Sequence, residues 1–248
     1  FTSSPVSPEL TPQWRITLGG KLTSPVVAGN RVYVSRVHAH TVYALNAKTG
    51  GILWRYTAGG PVDSPPTIHQ GRVLFGSADG YIYCLRASDG ALVWRFRAAP
   101  MDRRLTAYEQ LESVWPVHGS VLIQNDRLYC VAGRTIFLDG GMRLLQLNPR
   151  TGEKLSEIVL DEKDPETGKN MHMYVQGLDM AVGLPDILSS DGKYLYMRSQ
   201  QFDLAGNRKH IAVRNVTDQS GEGAHVFSPI GFADDTQFYR SYMIYGKS

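Results

Sequence analysis

Several things are scarce in this 248-residue chain, and each scarcity removes a class of function. There are two cysteines, Cys84 and Cys130, far apart and with no partner motif. A haem attachment sequence needs Cys-x-x-Cys-His, and a structural zinc site needs clustered Cys and His, so neither is encoded. The two thiols read as small buried apolar residues; pairing with each other, which would mark an oxidising compartment, is the alternative. Charge of one sign is also scarce. The formal net charge is +3, and no basic run interleaved with aromatics is present, which removes the case for nucleic acid. No run of about 18 apolar residues exists, so no transmembrane segment is expected. Gly-x-Ser-x-Gly, phosphate-loop and dinucleotide fingerprints are all missing.

What is present is a phrase written twice. Val42-Tyr43-Ala44-Leu45-Asn46-Ala47-Lys48-Thr49-Gly50-Gly51-Ile52-Leu53-Trp54-Arg55-Tyr56 returns as Ile82-Tyr83-Cys84-Leu85-Arg86-Ala87-Ser88-Asp89-Gly90-Ala91-Leu92-Val93-Trp94-Arg95-Phe96. Trp14, Trp54 and Trp94 stand 40 residues apart in succession. Short β-branched and aromatic strands, punctuated by turn residues and repeated at about 40 residues, specify an all-β β-propeller of four-stranded blades. Such a sheet is apolar on both faces and becomes stable only when stacked radially on its neighbours. The three tryptophans are therefore structural docking residues on outer strands. Burying an indole removes about 200 Å² from water.

Residues 1–12 read as an extended Ser/Thr/Pro-rich lead-in and 13–248 as the propeller segment. Blades are expected at about 23–57, 63–97, 117–160 and 185–214, with a partial one at 225–248. Trp14 to Leu18 reads as an outer strand of a preceding or closing blade. In the third unit the outer strand, Lys154 to Leu160, lacks its tryptophan. Two long connections, Ala98 to Trp115 and Asp161 to Leu184, interrupt the array. Ala98 to Ser113 is expected to form one or two helical turns, and Asp161 to Gly168 a solvated charged loop.

The strand, Thr/Asp-Gly turn, strand and tryptophan phrase resembles the repeat of the pyrroloquinoline-quinone-like (PQQ-like) β-propellers. Ala44 to Trp54 carries the likeness most closely, Cys84 to Trp94 well, and Gln146 to Leu155 in degraded form. That family contains quinone-dependent dehydrogenases and non-enzymatic scaffolds such as the outer-membrane assembly lipoprotein BamB. Its members usually carry seven or eight blades, so the resemblance implies that these four to five are a segment of a longer protein, or a truncated array. It also implies a bacterial protein that is periplasmic or secreted.

A dehydrogenase of this family would need adjacent cysteines, a tryptophan platform, a Glu/Asn pair on Ca²⁺ and a catalytic Asp. No adjacent cysteines occur, Trp115 is the one tryptophan outside the 40-residue series, and Asp179 and Asp186 have no evident partners. Neither His38 with His40, taken as alternate residues on one face of a strand end, nor Met171-His172-Met173, a soft set suited to copper, reaches three or four ligands. No catalytic, metal or cofactor residues are therefore assigned.

The expectation is a non-catalytic scaffold with a protein partner. A fragment of a quinone-dependent oxidoreductase, using PQQ and Ca²⁺, is the alternative, and small-molecule or carbohydrate binding at the axial funnel a third. Both long connections join an outer strand to the next inner strand and should share a rim. Arg103, Arg104, Tyr108, Trp115, Met171, His172, Met173 and Tyr174 are the residues expected to form its interaction surface.

Overall fold

The computed structural model describes residues 11–107, 109–170, 188–197 and 200–209. Its regular structure is β: seventeen strands, with a single 3-10 turn at Val37–Ala39 among the described residues. Three sheets are complete four-stranded antiparallel meanders. The first holds β1 (Val26–Ala28), β2 (Arg31–Arg36), β3 (Thr41–Asn46) and β4 (Ile52–Thr57). The second holds β5 (Thr67–His69), β6 (Arg72–Gly76), β7 (Tyr81–Arg86) and β8 (Leu92–Arg97). Between the second and third, β9 (Arg104–Ala107) and β10 (Gln110–Ser113) pair as a separate hairpin. The third blade is β11 (Leu122–Gln124), β12 (Arg127–Ala132), β13 (Met142–Leu147) and β14 (Lys154–Leu160). A fourth sheet has β15 (Ser189–Ser190), β16 (Tyr194–Met197) and β17 (Gln200–Asp203).

In each complete blade the middle two strands are almost fully buried, while the outer strand is largely exposed or half-buried and alternates in blades one and two. This is the pattern of a sheet covered on both faces at its centre and wet at its rim. Tyr33, Tyr83, Phe75 and Leu74 are among the largest fully enclosed side chains. Cys84 and Cys130 are free thiols inside the apolar cluster between blades two and three. Burial holds the Cys84 thiol up at about 12, so it packs as a neutral hydrophobe.

The tryptophans join successive units. Trp14 Nε1 donates to Ala47 O at 2.9 Å, Trp54 Nε1 to Ala87 O at 3.0 Å and Trp94 Nε1 to Pro149 O at 3.2 Å. In each case the acceptor is the second residue of the turn between the third and fourth strands of the following blade. The ring lies on the turn's glycine: a Cβ on Gly50, Gly90 or Gly152 would come within 2.5–2.7 Å of the indole. The same glycines have φ of 72–75°, so the residue that allows the turn also clears the seat for the ring. Trp14 makes this contact from an extended segment outside any strand, not from the strand expected for residues 14–18.

One of the two long connections differs from expectation. Residues 104–113 form a β-hairpin where helical turns were expected. Ala107 pairs with Gln110 across a two-residue tip in which Glu109 takes φ 60°. Residues 161–170 close as a tight turn. Asp164 is buried and its Oδ1 accepts from the N–H groups of Glu166 and Thr167, while Lys163 bridges to Asn170. The strands expected at 225–248 lie outside the described residues.

Candidate functional site

Antiparallel meanders put two sets of connections at the same end of every blade: those from the outer strand to the next inner strand, and those between the second and third strands. A repeated backbone bond pins the two sets together. Val37 N donates to Lys21 O, Ala78 N to Pro61 O and Gly133 N to Pro116 O, at 2.8–2.9 Å. Two residues beyond the last two of these anchors come Asp63 and His118, which occupy equivalent positions in consecutive blades.

Those two side chains meet. His118 Nδ1 lies 2.5 Å from Asp63 Oδ2, with both side chains about one-fifth exposed. Ser64 Oγ donates to the other carboxylate oxygen at 3.1 Å. Burial works to raise the Asp63 pKa, and the His118 and Ser64 bonds outweigh it, holding the carboxyl below its ordinary range. Beneath the pair the inner strands of blades two and three are laced by Thr67 Oγ1 to Val121 O (2.6 Å) and Ser120 Oγ to Pro65 O (3.1 Å). At the opposite end of the same seam, His69 Nε2 lies 3.0 Å from Asp126 Oδ1.

Asp63 and His118 open onto a cavity of about 350 Å³. Blade one contributes Lys21, Val37 and His38 to its wall, and the hairpin β9–β10 contributes Gln110 and Glu112. The hairpin is tied down on both sides. Gln110 Oε1 meets His40 Nε2 at 2.9 Å, and Glu112, itself 5% exposed, is bridged to Arg134. His38 and His40 do not alternate along a strand. They belong to the 3-10 turn and to its left-handed C-cap, so His38 reaches the cavity while His40 reaches the hairpin.

The interface residues expected from the sequence separate. Arg103 and Arg104 are exposed at the base of the hairpin, near Asp139 and Asp102 respectively. Trp115 is not a surface residue: it is 4% exposed, packs in the core between blades two and three, and donates Nε1 to Asp139 O at 3.0 Å. A large indole following the hairpin gains more from that core than from solvent contact, and this corrects its assignment to the rim. Tyr108, Met171, His172, Met173 and Tyr174 lie outside the described residues, as do Asp179 and Asp186. On the same end of the blades, Met101, Leu111, Phe137 and Leu138 are exposed, the last at 65%.

The parts of a quinone-and-calcium site do not come together among the described residues. Trp115 is enclosed, the two thiols are separate and buried, and no group of three or more His, Cys, Asp or Glu could hold a metal ion. The Asp63–His118 pair itself could not have been found by motif. Its 55-residue separation becomes one repeat only after the hairpin insertion has been recognised.

The chain matches the family described as outer membrane protein assembly factor BamB over residues 9–227. No curated protein matches it. Among solved structures it is similar to the quinohemoprotein alcohol dehydrogenase ADHIIG from Pseudomonas putida HK5, with 18% identity and a TM-score of 0.54, over 72% of this chain and 28% of that one. For the quinohemoprotein alcohol dehydrogenase from Comamonas testosteroni the values are 20% identity, TM-score 0.46, and 55% and 20% of the two chains. For BamB from Moraxella catarrhalis they are 19%, 0.37, and 76% and 60%. The chain thus spans little more than a quarter of the first dehydrogenase, and the likeness to it is one of fold.

Proposed function

The chain belongs to the family of the outer membrane protein assembly factor BamB, and on that premise we propose that it is a non-catalytic scaffold that docks a protein partner outside the cytoplasm. The observation that supports this reading is the end of the blades bearing the β9–β10 hairpin. Met101, Leu111, Phe137 and Leu138 stand exposed there, on a hairpin and a loop that ion pairs and a buried tryptophan hold firm. Exposed apolar side chains on a fixed, polar-rimmed surface are what a protein interface offers. The hairpin is an insertion into the repeat, so closing the blade array does not require it. Arg103 and Arg104 form part of the rim, and rim charges act on encounter rate more than on final affinity.

The test is capture from a cell-envelope extract by the immobilised chain, compared with a Leu111→Glu, Leu138→Glu double variant. Loss of a specific partner with an unchanged melting temperature supports docking through this surface. Equal capture by both proteins removes it. Calorimetric titration with PQQ and Ca²⁺ tests the oxidoreductase reading in parallel: tight, stoichiometric binding would replace the scaffold proposal with a segment of a quinone-dependent enzyme. Titration with simple sugars does the same for a carbohydrate-binding funnel.

A further inference from the structure

The cavity beneath the hairpin is distinct from the apolar surface outside it, and its wall has an uneven supply of hydrogen-bonding groups. Its acidic members are already engaged. Asp63 accepts from Ser64 with one oxygen and faces His118 with the other, and Glu112 is bridged to Arg134. Its donors are not. Lys21 and His38 have no side-chain hydrogen bond or ion pair among the described residues. His118 contacts Asp63 through Nδ1, which leaves Nε2 unengaged, and Gln110 contacts His40 through Oε1, which leaves its amide N–H groups unengaged. A pocket whose unspent groups are an ammonium, two imidazole rings and an amide N–H₂ favours an acceptor-rich ligand of negative charge.

We propose that this cavity binds a small carboxylate, held between the Lys21 ammonium, the His38 ring and Nε2 of His118. The Asp63 contact at Nδ1 fixes the orientation of the His118 ring. Nε2 then donates to an anion when the ring carries both protons. A cation is disfavoured because both carboxylates are already satisfied. A dianion such as phosphate suffers more than a carboxylate from the negative charges of Asp63 and Glu112 in the same wall. A volume of about 350 Å³ suits a compact molecule, at the low end of small-ligand clefts, which run from about 300 to 1,000 Å³. The hairpin makes one wall, so the site and the proposed protein-docking surface share that element while using opposite sides of it.

The test is an NMR shift titration of the whole chain with butanoate, its neutral relative butanamide, and inorganic phosphate. Butanoate should bind saturably at least ten-fold tighter than butanamide and tighter than phosphate, with the largest shifts at Lys21, His38 and His118. Lys21→Met, at an exposed position, should weaken butanoate at least ten-fold and leave the melting temperature unchanged. His118→Asn should weaken it too. Equal affinities for butanoate and butanamide, or full affinity in Lys21→Met, would overturn the proposal. Tighter binding of phosphate would overturn the choice of carboxylate. Each readout is independent of whether a protein partner docks outside.

Discussion

Successive units of this chain are closed by an indole ring three times, and the seam between the third and fourth blades is closed without one. The acceptor is the same in kind at all four places: the carbonyl of the second residue of a turn, at Ala47, Ala87, Pro149 and then Leu204. What changes is the donor. In blade one the cross-strand row reads Tyr33, Ala44, Trp54, and in blade two Leu74, Cys84, Trp94. In blade three it reads Tyr129, Gln146, Ser156. Ser156 stands where the tryptophan was, Gln146 where the first two blades have Ala44 and Cys84, and Tyr129 where blade one already has Tyr33. Tyr129 Oη and Gln146 Nε2 both donate to Leu204 O, at 2.8 and 3.0 Å, and Gln146 Nε2 also donates to Tyr129 Oη at 2.9 Å. Arg127 Nη1 completes Gln146 at its oxygen. Ile158, two residues beyond Ser156, reaches toward Gly206 of the next turn, 3.2 Å from where a Cβ would be. The orphan carbonyl is thus the invariant of the seam, and either a ring or a polar network can satisfy it.

The largest expected effect separates these two solutions. Trp94→Ala leaves a cavity and an unsatisfied Pro149 carbonyl, and should cost about 3–5 kcal/mol in urea unfolding. Hydrogen exchange should show protection lost first where blade two meets blade three. A cost under about 1 kcal/mol would show that the ring is ornamental and that the inner-strand contacts hold the seam alone.

A smaller effect isolates the seat from the turn. Residues 164–168 repeat the hydrogen-bond wiring of the docking turns, Gly168 N donating to Asp164 O as Gly90 N does to Arg86 O, with no ring on the glycine. Gly168→Ala should cost about 1–2 kcal/mol, the strain of a left-handed residue with a side chain. Gly90→Ala carries that strain and also forces the Trp54 ring to move, adding about 1–3 kcal/mol. Equal losses in thermal melts would mean that the ring adjusts freely.

Smaller still is the polar seam. Gln146→Leu keeps the bulk but strips two donated bonds from a buried site, and should cost about 1–2 kcal/mol. Tyr129→Phe should add less than its single-variant cost on top of it, because the bond from Gln146 to Tyr129 Oη is lost in either single variant and is counted once in the double. Full additivity would show that each bonds Leu204 independently.

These seams differ in how far they could be read from the chain. The indole seams were legible because a rare residue recurs at a fixed period and faces a turn whose glycine is fixed by backbone geometry. The seam between blades three and four was visible only as a missing tryptophan. Gln146 in a strand carries no sign that it is buried, and its partner Leu204 belongs to another blade. The hairpin at 104–113 was hidden for a different reason: no Asn-Gly or Asp-Gly pair stands in this stretch to announce a two-residue hairpin, and its Leu, Ala, Glu and Gln favour helix by propensity. Packing against the core through Leu105 overrides that preference. The candidate site depended on this hairpin, so it was out of reach of sequence reasoning until the insertion was placed.

The axial side of the seam between blades two and three offers the last contrast, because acid titrates the Asp63 carboxylate there while the Tyr129–Gln146 network contains no carboxylate. The Asp63 carboxyl is held below its reference value of 3.8 in the fold. Its stabilising contribution is therefore fully present above about pH 4 and is lost as the pH falls through the lower, folded-state value. Asp63→Asn should then be less stable than the parent at pH 7, with the gap narrowing as the pH is taken below 4. Gln146→Leu should show the same gap at both pH values. Urea midpoints for the three proteins at pH 7, 5 and 3 make the comparison. If the Asp63→Asn gap persists unchanged at pH 3, the carboxylate form contributes nothing to this seam, and the short contact with His118 is a matter of packing alone.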